Sequence, residues 1–86
     1  MKIHILFTGR SYQTSAHLPA ELELPEGTPV SEALRQLDDG LPDDQQLPRS
    51  CLVAVSGEHI GTVEQHRDHL LSDGEELVLI APVAGG

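Results

Sequence analysis

The stretch "PEGTPVSEALRQLDDG" (residues 25–40) limits the fold more than any other part of the chain. Val30, Ala33, Leu34 and Leu37 recur at i, i+3, i+4 and i+7, which gathers them into one apolar stripe along a helix. Thr28 is expected as the N-cap, with Pro29 in the first turn, where a missing backbone donor does no harm, and Gly40 as the stop. A helix of about ten residues does not persist alone in water. It must lay its stripe on a flat apolar surface.

The flanking segments supply that surface. In "KIHILF" Ile3, Ile5 and Phe7 fall on one face of a strand. "TGRSYQTS" suits a hairpin connection. "AELELP" alternates, with Ala20, Leu22 and Leu24 expected inward and Glu21 and Glu23 outward. "CLVAV" is a third strand, followed by the turn signal Ser56-Gly57. "EHIGTVEQHRDHLL" is read as a short edge strand near Ile60 and then a loop or single helical turn. "LVLIA" is apolar at every position, as a central strand covered on at least one side would be. Strand, strand, helix, strand, short strand, strand is the order of the β-grasp, or ubiquitin-like, fold. It is an α+β architecture: a mixed sheet of about five strands, one main helix crossing one face with right-handed connection, and the last strand beside the first. We expect a β-grasp domain over residues 1–81 and a flexible arm over 82–86.

At 86 residues there is room for one domain only, and its core must be aliphatic: thirteen Leu, six Val and four Ile stand against one Phe, one Tyr and no Trp. The single Cys51 excludes an internal disulfide and lies in an apolar stretch, as a buried small hydrophobe would. The longest apolar run, "LVLIAPVA", is too short to span a bilayer, and "MKIHILFTG" lacks a cleavage signal. No membrane association and a cytoplasmic location are the expectations. Five basic against fourteen acidic residues give a net charge of −9, which repels nucleic-acid phosphates and favours encounter with a basic partner. His59, His66 and His69 cluster in sequence, but without cysteines or a firm helical phase they are a weak metal signal. Asp43-Asp44 and Glu75-Glu76 read as solvated turn acids.

The sequence closes on "PVAGG". Pro82 ends the last strand by removing a backbone donor. From Pro82 to Gly86 the chain reaches roughly 16–18 Å when extended. Gly85 and Gly86 lack Cβ atoms, so a narrow tunnel admits them. A carboxylate must be activated before it can serve as an acyl donor, commonly as a mixed anhydride with AMP, and an enzyme closing over the last residues would collide with side chains. Gly-Gly therefore suits a substrate whose own C-terminus reacts. A frayed end is the bland alternative, yet two adjacent glycines there arise by chance in only roughly one chain in two hundred.

"DGEELVLIAPVAGG" resembles the C-terminal signature of the small, sulfur-carrying subunit of molybdopterin synthase, the MoaD type of the ThiS/MoaD sulfur-carrier family. "VAVSGEHI", "LPEGTPVSEALRQL" and "IHILF" resemble its strand–turn, helix entry and first strand, so the likeness covers nearly the whole chain. The Pro-Val pair before the glycines sets it apart from the related thiamine-pathway carriers. Ser56 stands where the pattern has Asn, Glu75 where it has Asp, and "TGRSYQ" replaces an Arg-Glu pair.

The resemblance implies a protein with no active site of its own and no bound cofactor. A ubiquitin-activating-type enzyme would adenylate Gly86 with ATP, and a sulfur donor would convert the adenylate to a thiocarboxylate. The arm would then enter the large synthase subunit, in a heterotetramer, and donate sulfur to cyclic pyranopterin monophosphate. Gly86 would carry the sulfur and Gly85 give clearance, while Ala84, Val83 and Pro82 line the inserted arm. Phe7 is a further candidate for partner contact. Two other readings stay open: a sulfur carrier for thiamine, cysteine or tRNA thiolation, and a ubiquitin-like modifier or interaction module.

Overall fold

The structure is a computed structural model that describes residues 1–8, 18–43 and 46–81. Strands β1 (Lys2–Thr8), β2 (Glu21–Glu23), β3 (Leu52–Val55), β4 (Glu58–Thr62) and β5 (Glu76–Ile80) form one mixed sheet in the order β2-β1-β5-β3-β4, and helix α1 is Val30–Asp39. β1 and β5 run parallel at the centre, and the other pairs are antiparallel. This is the β-grasp arrangement. The hairpin connection expected after β1 lies outside the described residues.

Alternation along the strands builds the core. Ile3 on β1, Leu77 and Leu79 on β5, and Val53 and Val55 on β3 share a buried face, with Ile5 and Phe7 half-buried beside them. The α1 stripe of Val30, Ala33, Leu34 and Leu37 is buried as expected. Each large aliphatic so covered contributes about 1.5–3 kcal/mol, which holds a helix of this length in place.

Two local expectations need correcting. Thr28 is not the N-cap: Pro29 is, and no side chain caps the helix. The Thr28 hydroxyl donates instead to the Pro25 carbonyl at 2.6 Å. The helix has no use for it, because the leading amide of Val30 donates to the His69 carbonyl at 2.9 Å as residues 69–71 run alongside 28–30. Ala20 is exposed rather than inward, whereas Leu22 is half-buried and Leu24 buried. Ala20 sits at the end of the short edge strand, where its carbonyl accepts from the Ile5 amide at 2.8 Å but its methyl, worth at most about 0.8 kcal/mol if covered, stays exposed.

Residues 58–71 behave as one unit. Ser56 (φ 47°) and Gly57 (φ 87°) make the tight turn between β3 and β4. The chain then folds back along the outer edge of β4, where Thr62 N–H donates to Gln65 O and Arg67 N–H to Ile60 O, each at 2.8 Å. Gly61 makes this approach possible. It sits at φ 136°, and a Cβ there would lie 2.5 Å from the Gln65 carbonyl oxygen and 2.6 Å from His66 Cα. Gly61→Ala is therefore expected to cost about 2–3 kcal/mol in urea unfolding. Gly27→Ala, at φ 80° with open space around it, should cost only about 1 kcal/mol.

Candidate functional site

The parallel central pair decides where the chain goes after the sheet. β1 and β5 end together, with Thr8 opposite Ile80, and the Ala81 amide donates to the Thr8 carbonyl at 2.8 Å. Ala81 is itself buried. The last residue before Pro82 is thus anchored to the middle of the sheet. Pro82, Val83, Ala84, Gly85 and Gly86, the proposed arm, lie outside the described residues. Phe7, the other candidate, sits opposite Leu79 on the helix-covered face, half-buried against the core.

Among the described residues, no helix lies on the opposite face of the sheet. Leu6 pairs with Val78, Val78 with Ala54, and Ile80 with Leu52, so these side chains lie together on it. Leu6 is 46% exposed, Leu52 38% and Ile80 37%. This apolar patch lies beside the point where the chain leaves the sheet. Toward the other end of the same face stand Glu21, His4 and Glu76 in one cross-strand row, with Glu23 and Lys2 beyond. The sequence reading missed this surface, although its signal was there. A strand apolar at every position carries apolar side chains on both faces of the sheet, and α1 lies on only one of them.

Elsewhere the polar groups are engaged with each other. Glu75 gathers several contacts: Oε1 accepts from the Ser72 amide at 2.7 Å and faces His69 Nε2 at 3.3 Å, while Ser56 Oγ donates to Oε2 at 3.4 Å. Ser56 and Glu75, the two turn residues that depart from the pattern quoted above, therefore touch one another. His66 Nδ1 lies 2.9 Å from the Thr62 carbonyl. Among the described residues no three His, Cys, Asp or Glu side chains come together as metal ligands do. A cleft of about 500 Å³ runs beside α1, but its Arg35 and Arg49 are already paired with Glu32, Asp39 and Asp38. The Arg35 guanidinium holds the Glu32 carboxyl below its usual range. No described helix is long and apolar enough to cross a membrane.

Cys51, the one thiol, offers no nucleophile. It is fully buried, and burial pushes its pKa up to about 11.

Against known families, the ThiS family model matches residues 5–86. The chain belongs to the ThiS family. The molybdopterin synthase sulfur carrier subunit of Chlamydomonas reinhardtii is 24% identical over 86 residues, covering all of both chains. No solved structure matches. The match runs through the Gly-Gly residues, and the relative aligns with this chain from end to end.

The thiol yields a pH prediction for this ThiS-family protein. Because the folded state holds the Cys51 proton more tightly than the unfolded chain, where the value is near 9.0, the associated stability is complete below pH 9 and is lost as pH rises through about 11. Between pH 8 and pH 11 the protein should lose about 2 kcal/mol more than its Cys51→Ala variant. Urea midpoints across that range measure the difference, and equal slopes would refute it.

Proposed function

We propose that this protein is a sulfur carrier whose reacting group is the Gly86 carboxylate, and that it serves as the small subunit of a molybdopterin synthase. The ThiS-family match reaching residue 86 carries the reading. Two observations support it: the Chlamydomonas carrier aligns over its whole length, and Ala81 is tied to the sheet centre just before the arm begins.

In this scheme a partner enzyme of the ubiquitin-activating type joins the Gly86 carboxylate to AMP from ATP, releasing pyrophosphate. The persulfide of a sulfur donor attacks the acyl carbon and AMP leaves. A second thiol then cleaves the resulting acyl disulfide, which leaves a thiocarboxylate on Gly86 and a disulfide on the donor. Gly85 lets both enzymes close around the reacting carbon without a Cβ in the way. Pro82 restricts the backbone directly after Ala81, and a fully extended stretch from Pro82 to Gly86 spans roughly 16–18 Å, enough to reach into a partner's active site. Inside the large synthase subunit, in a heterotetramer, the thiocarboxylate sulfur attacks cyclic pyranopterin monophosphate and the Gly86 carboxylate is regenerated by water. Adenylation is the partner's chemistry, and the carrier contributes a rigid body, a narrow arm and a carbonyl.

Intact-mass measurement of protein drawn from its native host should find a species heavier by one oxygen-to-sulfur exchange. That species should revert to the lighter mass on incubation with the large synthase subunit and cyclic pyranopterin monophosphate. Conjugates on lysines of other proteins would show a modifier instead. Loading without reversion would place the carrier in another thiolation pathway. Deleting Gly86 should abolish loading while the stability read from urea unfolding stays within about 0.5 kcal/mol of the parent, because a glycine has no side chain to pack.

A further inference from the structure

A protein whose own carbonyl is activated faces a hazard from its own side chains. An amine or thiolate within reach captures the acyl group in a bond that carries no sulfur to the acceptor. This chain is poor in both. Lys2 is its one lysine and Cys51 its one cysteine, and four of its five basic residues are arginine. A guanidinium stays protonated, so it supplies positive charge without a nucleophile. Imidazoles are present, but water returns an acyl-imidazole to the acid.

The fold then decides where the lysine and the thiol sit. The chain leaves the sheet at the end of β1 where Thr8 stands opposite Ile80. Lys2 begins the same seven-residue strand, so about 20 Å of sheet separates it from that exit. An arm of roughly 16–18 Å falls short of this even when doubled straight back. The Lys2 ammonium is drawn aside toward Glu21 Oε1 at 3.9 Å, and the Met1 amino group, at the same far end, donates to the Leu24 carbonyl at 2.7 Å. Cys51 is the nearer group, since it precedes Leu52, which pairs with Ile80 at the exit end. There burial takes the place of distance. The Cys51 side chain is fully buried, with its Sγ donating to the Leu52 carbonyl at 3.8 Å.

We propose that the fold guards its activated C-terminus against the chain itself, keeping its one lysine at the pole of the sheet opposite the arm and its one thiol inside the core, so that the acyl group on Gly86 persists until sulfur arrives. The proposal rests on the carrier reading and names what the body contributes to selectivity for sulfur over nitrogen. Failure of the guard has a defined chemistry. A lysine amine attacks the acyl carbon, a C–N bond forms as the bond to AMP breaks, and the amine's proton passes to solvent. The product is a closed ring, one water lighter than the free acid, that can no longer be loaded.

The probe is the purified chain carrying a Gly86 thioester, made by intein cleavage with a small thiol, which stands in for the acyl-adenylate and needs no partner enzyme. The parent and its Cys51→Ala, Thr8→Lys, Leu52→Lys and Glu23→Lys variants are incubated near pH 8 and followed by intact mass, with amide NMR spectra confirming each fold. The parent and Cys51→Ala should hydrolyse alike to the free acid. Thr8→Lys and Leu52→Lys put an amine beside the exit. They should consume the thioester at least about tenfold faster than the parent, as the lighter, hydroxylamine-resistant ring, because an amine held within reach acts at high effective concentration. Glu23→Lys adds a second amine opposite Lys2 and should behave as the parent does. Ring closure in the parent through Lys2 or Cys51, or closure of Glu23→Lys as fast as Thr8→Lys, overturns the proposal. So does a thioester that survives unchanged beside both exit-end lysines. Because the probe is loaded chemically, these outcomes are independent of the carrier reading, which stands or falls on the oxygen-to-sulfur exchange in native material.

Discussion

The parallel pairing of β1 with β5 is the contact on which everything else depends. It joins the first strand to the last, sets Ile3, Leu77 and Leu79 into one buried layer, and gives α1 its surface. It also lets the chain leave the sheet from its middle rather than from an edge, with the Ala81 amide held by Thr8. The contact is long-range: His4 and Glu76, its first pair, are separated by most of the sequence. Closing so long a loop costs entropy before the core rewards it, which makes such topologies slow to fold relative to local ones. The same pairing makes a firm base for an arm, because pulling on Ala81 loads the centre of the sheet.

The one helix among the described residues covers one face of the sheet and leaves apolar residues exposed on the other. With α1 on one side, the apolar residues on the other face of β1, β3 and β5 remain in contact with water. Exposing them costs stability in a domain with little to spare. Their concentration beside the arm, with acids at the far end, is what a surface used by partners looks like.

Much of this was legible in residue order. The i, i+3, i+4, i+7 stripe marked α1, alternation marked β1, and the uninterrupted apolar run marked β5 as central. What failed depended on neighbours distant in sequence. Thr28 has the chemistry of a cap, but a carbonyl from residue 69 had already taken the amide it would have served. Ala20 continued the alternation, and its carbonyl does pair with the Ile5 amide, but at the end of an edge strand its methyl stays exposed. Residues 58–71 gave little periodicity because their order comes from a backbone folded against an edge, for which Gly61 was the sole local sign. The apolar face was hidden for a related reason. Periodicity shows which residues share a face, and only the count of covering elements shows which face stays bare.

The folding-back of residues 62–67 has one more consequence. Bare strand edges invite other chains to add on. Along β4 that invitation is withdrawn, since Thr62 N–H and Ile60 O are occupied from within the same chain. Among the described residues this leaves β2 as the open border of the sheet, three residues long with a carboxylate at each end. Such a border is too brief and too negatively charged to template stacking by its own kind. The exposed apolar residues of the sheet face therefore sit in a sheet whose described borders give little purchase for edge-to-edge stacking.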